Sequence, residues 1–304
     1  MVLGSGVCSS APALAQAGSP EVAPESGGLK ALVELLNSMP DVYFDDLIEL
    51  RSDSEPADAH RLAEQLKGIF SYALKLQNLE GNAACRKPLI VGLASQELIK
   101  KYIHTKLGAR ALGSMGFVSH SGGYLSDSRA YDWYAAAHEF EHVLMARLKA
   151  TQPALPTYLV EGIACAVGTH YVRSSGLGTA ALTMQSRKLA LVSAAEARQT
   201  FLTFATAADV ATTRSAGRLF VAEHIGGLFI EYLATRKAST PEAFFRKWAK
   251  FAAELGAGAR LEPCFAKNLG ISLPEAQSEF FNYMRATEGD PKKRFSGTVY
   301  EGYL

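Results

Sequence analysis

Residues 138–142 read His-Glu-Phe-Glu-His. On an α-helix, positions i and i+4 lie on one face, one turn apart. Two imidazoles at that spacing can bind one tetrahedral zinc from the same side. Glu139 follows the first histidine and sits at the edge of that face. From there a carboxylate reaches a water on the metal without itself coordinating, which is what a metal-assisted hydrolase needs of a general base. Two histidines leave a catalytic zinc site short of its usual third protein ligand. The next segment supplies one: Tyr158-Leu159-Val160-Glu161-Gly162-Ile163-Ala164, with 18 residues between His142 and Glu161. That gap fits a helix end, a turn through Pro153 and Pro156, and an antiparallel return. Gly162 would let the two helices approach closely.

The elements that must position these residues follow from apolar periodicity. Ala135–Leu148 and Tyr158–Val172 read as helices, followed by helices over Thr179–Ala197, Arg218–Arg236, Pro241–Ala253 and Pro274–Arg285. Ahead of them come a short helix over Gly28–Asn37, a strand over Val42–Arg51 and a helix over Ala57–Leu76. A buried strand over Pro88–Ala94 and a helix over Ser95–His104 come next, then two short strands over Gly116–His120 and Gly123–Ser126. The expected class is α+β: a small N-terminal mixed sheet with helices, packed on a mainly helical C-terminal part that carries the two histidines. The expected divisions are a leader over 1–27, an α/β subdomain with an edge strand over 28–130, a helical subdomain over 131–288 and an irregular tail over 289–304.

HExxH followed after 18 residues by a Glu, in a Leu-x-Glu-Gly-x-Ala setting, resembles the gluzincin metallopeptidases. The spacing is similar to that of the aminopeptidase N-like enzymes and of the small peptidase MA-like bacterial proteins. The resemblance extends over about residues 40–285, and its specific part is 138–161. It implies a zincin-like fold, one Zn²⁺ on His138, His142 and Glu161, and Glu139 as the base in peptide-bond hydrolysis. It also implies a substrate-side strand around Gly122, Gly123 and Tyr124. Two departures matter. The nearest sequence to the exopeptidase motif, Gly113-Ser114-Met115-Gly116, lacks the amine-binding Glu, so aminopeptidase activity does not carry over. Four residues past Glu161, where some gluzincins place an acid that orients a histidine, stands Cys165.

A tetrahedral oxyanion needs a donor opposite Glu139. His224 is the candidate, with Tyr131, Tyr158 and Tyr171 as alternatives. His120 lies near the expected edge strand. His170, nine residues past Glu161, points away from the metal, and His60 and His104 read as surface residues. Strand addition along Gly122–Ser126 would take an extended peptide or protein substrate. Two other readings are a non-catalytic zinc-binding or peptide-binding module on a peptidase-like fold, and a zinc amidase acting on cell-wall peptides.

The chain has 304 residues, 48% hydrophobic and 20% charged, with a net charge of +1. Such a balance offers no overall field to draw nucleic acid. No run of apolar residues is long enough for a transmembrane helix. Ala13-Leu14-Ala15 forms a small-x-small signal-peptidase pattern, while the first basic residue is Lys30, so the positive n-region of a signal peptide is missing, and the apolar run before the site is short. The expectation is an exported protein, periplasmic or secreted, cleaved after Ala15; the alternative is a cytoplasmic protein in which that segment is a tail and not a signal. Export would permit a disulfide, and Cys85 and Cys264, both in loop-like settings, are the pair that could form one.

Overall fold

The computed structural model describes residues 38–39, 41–52, 56–85, 89–93, 115–119, 130–151, 154–177, 179–206 and 218–304. The expected leader, the helices over 28–37 and 95–104, the strand over 123–126 and the histidines at 104 and 120 lie outside them. So do Gly122, Gly123 and Tyr124.

The described residues are mainly helical. Their strands form a four-stranded sheet in the order β1 (Asp41–Phe44), β2 (Glu49–Ser52), β3 (Leu89–Leu93), β4 (Met115–Ser119). β1 and β2 are antiparallel, and β3 and β4 continue in parallel with β2. The sequence from Val42 to Arg51 therefore makes two strands where one was expected. Asp45 is the reason: its Oδ1 accepts from the backbone N–H of Leu47 at 2.7 Å and of Ile48 at 2.9 Å, closing a tight turn.

Helix α1 (Pro56–Gln77) crosses from β2 toward β3 and buries Leu62, Leu66, Ile69, Phe70, Ala73 and Leu74. That is the i, i+4, i+7, i+8 stripe of an amphipathic helix. The helical part follows: α2 (Ala130–Arg147), α3 (Thr157–Ser175), α4 (Thr179–Ala190), α5 (Ala194–Thr203), α6 (Leu219–Arg236), α7 (Pro241–Gly256), α8 (Leu261–Leu269), α9 (Leu273–Ala286) and α10 (Pro291–Phe295). α3 is the hub, packed against α2 on one side and α6 on the other. Fifteen of its nineteen residues are buried. Apolar residues of the sheet, α1 and the later helices join one buried cluster from Ile48 to Tyr300.

Three expectations are corrected. The helix expected over Thr179–Ala197 is two helices, because Ser193 caps a new one, accepting from the Glu196 N–H at 3.0 Å. The tail after Glu288 is not irregular: it contains α10 and buries Arg294, Phe295, Val299 and Tyr300. The cysteines at 85, 165 and 264 are free thiols, each buried, so Cys85 and Cys264 do not pair.

Candidate metal centre

α2 places His138 and His142 one turn apart, with the rings 4.7 Å apart edge to face. α3 brings Glu161 to them. The start of α3 has no side-chain cap; instead the N–H groups of Thr157 and Tyr158 donate to the carbonyls of Ala205 and Phe204, each at 3.1 Å. Those bonds, made to the residues just after α5, fix where α3 begins and so where Glu161 stands.

The three donor atoms converge. His138 Nε2 and His142 Nε2 are 3.0 Å apart, and Glu161 Oε2 lies 3.4 Å from the first and 3.2 Å from the second. Bonds of about 2.0–2.1 Å in a tetrahedral site put zinc ligand atoms about 3.3–3.4 Å from one another. The triangle therefore has the size of one face of a zinc tetrahedron. All three side chains are buried, at 4%, 4% and 6% exposure, and among the described residues they are the one His/Cys/Asp/Glu group that could hold a metal.

Their electrostatics agree with the donor chemistry. Burial alone would lower His142, but the Glu161 carboxylate beside it lifts it to about 9. Burial alone would raise Glu161, but the charge of His142 and the hydrogen bonds from both imidazoles hold it well below the usual carboxylate range. The group thus presents lone pairs that a shared cation, proton or metal, must satisfy.

Glu139 is partly exposed where its neighbours are buried, the placement a proton carrier between site and solvent needs. Glu141 takes no part in the donor set. It is buried, accepts from Gln77 Nε2 at 2.6 Å, and is pushed up to about 8 by burial, which ties α2 to the end of α1.

His224 is not placed as the expected donor. It is 1% exposed, its Nδ1–H donates to the Phe220 carbonyl at 2.8 Å, and its Nε2 faces the Tyr134 hydroxyl at 3.4 Å. Burial holds its pKa down at about 3, so the ring is neutral and its single N–H is already bonded to the helix. No N–H is left for an oxyanion. Tyr158 is committed elsewhere: its ring packs 4.4 Å from Phe201 and its hydroxyl accepts from Gln277 at 2.6 Å. Tyr171 packs edge-on to Tyr72 at 5.3 Å. His170 points to Glu231, 2.7 Å away, as its place on the helix implied. His60 is exposed. The side chain of Tyr131 lies outside the described set.

Gly162 does face a neighbouring helix, but it is α6 and not α2. A Cβ on Gly162 would lie 2.7 Å from the Gly226 carbonyl, and one on Gly226 would lie 2.5 Å from the Tyr158 carbonyl. The glycine that admits α2 is Gly168, where a Cβ would stand 2.8 Å from the Tyr134 ring. Two further residues belong to the site's surroundings. Tyr134, one turn before His138, has its ring centroid 5.9 Å from that imidazole. Glu223, 7% exposed, is near enough to contribute to raising His142. The i−4 position of Tyr134 from the first histidine was the readable signal for one. For the other it was the i−3 position from a glycine at the helix crossing.

No protein-family model matches the chain, and no curated protein matches its sequence. No helix among the described residues is long and apolar enough to cross a membrane.

Proposed function

We propose that this protein is a zinc-dependent peptidase of gluzincin type, with one Zn²⁺ held by His138, His142 and Glu161 and with Glu139 as general base. The observation that carries the reading is the donor triangle, with sides of 3.0, 3.2 and 3.4 Å, buried between α2 and α3. When bound, the metal supplies a Lewis acid that polarises a carbonyl and lowers the pKa of water toward about 7. Glu139 takes the proton of the attacking water and returns it to the leaving amine. The buried walls around the ligands keep the local dielectric low, which strengthens each of these interactions. β4, the last strand of the described sheet, packs against α2. An extended peptide paired along that edge would lie beside the helix that carries the histidines. An export leader over 1–27 and peptides of the cell envelope as alternative substrates belong to the same proposal.

The second reading, a zinc-binding module without catalysis, draws on the position of His224, whose N–H is unavailable to an oxyanion. Glu139→Gln separates the two. The peptidase reading expects wild type and variant to bind one zinc per chain and only wild type to cleave a peptide library. Wild type that holds zinc and cleaves nothing is the module. Wild type that cuts muropeptides and leaves proteins intact is the amidase. Protein that takes up no zinc, by metal analysis beside His142→Ala, removes all three.

A further inference from the structure

Metal-binding histidines usually have their rings fixed by a hydrogen bond from the second nitrogen to a carboxylate, carbonyl or water. Here, among the described residues, the Nδ1 atoms of His138 and His142 are buried and have no hydrogen-bond partner. Among the described residues, the contacts that bear on their orientation are packing contacts. The ring of His138 is held along α2 between His142, at 4.7 Å, and Tyr134, at 5.9 Å. These three residues are spaced i, i+4, i+8 and form one stripe.

Tyr134 is itself clamped. On one side it sits in the notch left by Gly168 of α3: an added Cβ there would come within 2.8 Å of Cδ2 and Cε2 and 3.0 Å of the Tyr134 carbonyl. On the other side its ring stacks on His224 of α6, centroids 5.7 Å apart and planes 28° apart. Because Nδ1 of His224 donates to a backbone carbonyl, its Nε2 carries the lone pair, and the Tyr134 O–H donates to it. Behind His224 the stack continues through Phe220, at 3.9 Å and 22°, to the Lys188 ammonium 3.8 Å from the Phe220 centroid. One column of rings therefore runs from an exposed lysine on α4 to the first metal ligand.

We propose that Tyr134, wedged between the Gly168 notch and the His224 ring, is the positioning residue that sets the His138 imidazole, so that α6 tunes the metal centre by packing without touching the metal. The inference rests on the zinc-centre reading above. It assigns His224 a role as support in place of the donor role expected from sequence.

The test is metal binding to the full chain, with Zn²⁺ measured by chelator competition and Co²⁺ by its visible absorption, which reports the geometry of the ligand field. Tyr134→Leu removes the ring and is expected to weaken Zn²⁺ binding about 10-fold or more and to shift the Co²⁺ bands. Tyr134→Phe keeps the ring, and is expected to hold affinity within about threefold and the Co²⁺ spectrum close to wild type. Phe220→Ala loosens the stack from its half-buried end, and so gives a smaller change in the same direction even if Tyr134→Leu does not fold. A purely structural Tyr134 would lower the thermal midpoint of the metal-free protein and leave both metal readouts unchanged; that result, or unchanged readouts in Phe220→Ala when Tyr134→Leu cannot be made, overturns the inference alone. Wild type that binds neither ion overturns the zinc centre and this inference with it.

Discussion

His224 is a histidine that folding keeps neutral. Burial without a countercharge lowers its pKa to about 3 from the usual 6.5. The unfolded chain takes up a proton below 6.5 that the folded protein refuses until about 3, so the folded state binds fewer protons in that window. Its contribution is complete above pH 6.5 and is lost as pH falls, at about 1.4 kcal/mol per unit. His224→Gln removes that loss. In chelator-treated protein, urea unfolding at pH 7 and pH 4.5 is expected to show the variant losing about 2–3 kcal/mol less on acidification than wild type; equal losses would contradict the buried-neutral assignment. The contrast with the metal ligands shows what single residues reveal in a sequence. His138, His142 and Glu161 were legible because helical geometry turns a spacing of four into a shared face, and a turn followed by a helix start returns a carboxylate to it. The direction of His224 was not legible. Adjacent helix positions differ by about 100°, and sequence alone could not say whether Glu223 or His224 looks toward the site.

Where two helices cross at their backbones, one methyl group decides the distance between them. α3 and α6 touch at Gly162 and Gly226, and Glu161 is the residue next to that contact. Gly162→Ala places its Cβ at 2.7 Å from backbone atoms that have no rotamer to yield, so the helices must separate. The expected cost is about 1–3 kcal/mol, as for other overpacked interiors, with a several-fold loss of zinc affinity because Glu161 moves with α3. Gly68→Ala is the matched control: it lies on the solvent side of α1 with nothing within 4 Å of the new Cβ, and helix propensity favours it by up to about 1 kcal/mol. Opposite signs in denaturant titration are the prediction, and two destabilised variants would refute it. The glycine after Glu161 was visible in the sequence as a sign of close approach, but not its partner, since the pattern does not say which of two neighbouring helices a small residue admits. The breaks were harder to see than the helices. Ser193-Ala194-Ala195-Glu196 is a capping signature, yet its alanines prolong the helical pattern across it. Asp45 ends a strand by a side-chain turn that apolar alternation does not register.

At the scale of the whole molecule, the last fifteen residues tie the helices together. Arg173 of α3 donates to the carbonyls of Val299 and Glu301, each at 3.0 Å. Val299 N–H donates to Glu231 of α6 at 3.4 Å. Arg294, 1% exposed, donates to the carbonyls of Leu189, in the last turn of α4, at 2.7 Å and of Val192, just beyond that helix, at 2.8 Å. None of this could be read from a polar tail, because the buried arginine is recognisable only once the carbonyls it meets are known. The chain of support then runs from α4 through α5 to the Phe204 and Ala205 carbonyls that start α3. Arg294→Met keeps the apolar stem and removes the charged donors from the Leu189 and Val192 carbonyls, leaving the first with only the Val192 N–H at 3.3 Å. Each charge-assisted bond is worth about 1.5–3 kcal/mol, and losses at one cation do not add in full, so a cost of about 3 kcal/mol is expected in urea unfolding. Zinc affinity of the folded variant is expected to stay within about threefold of wild type, because the contacts next to Glu161, at Gly226 and at Phe204 and Ala205, are untouched. A tenfold loss of affinity in protein that remains fully folded would mean that the tail sets the site directly, and that the intervening helices transmit strain where the packing implies that they absorb it.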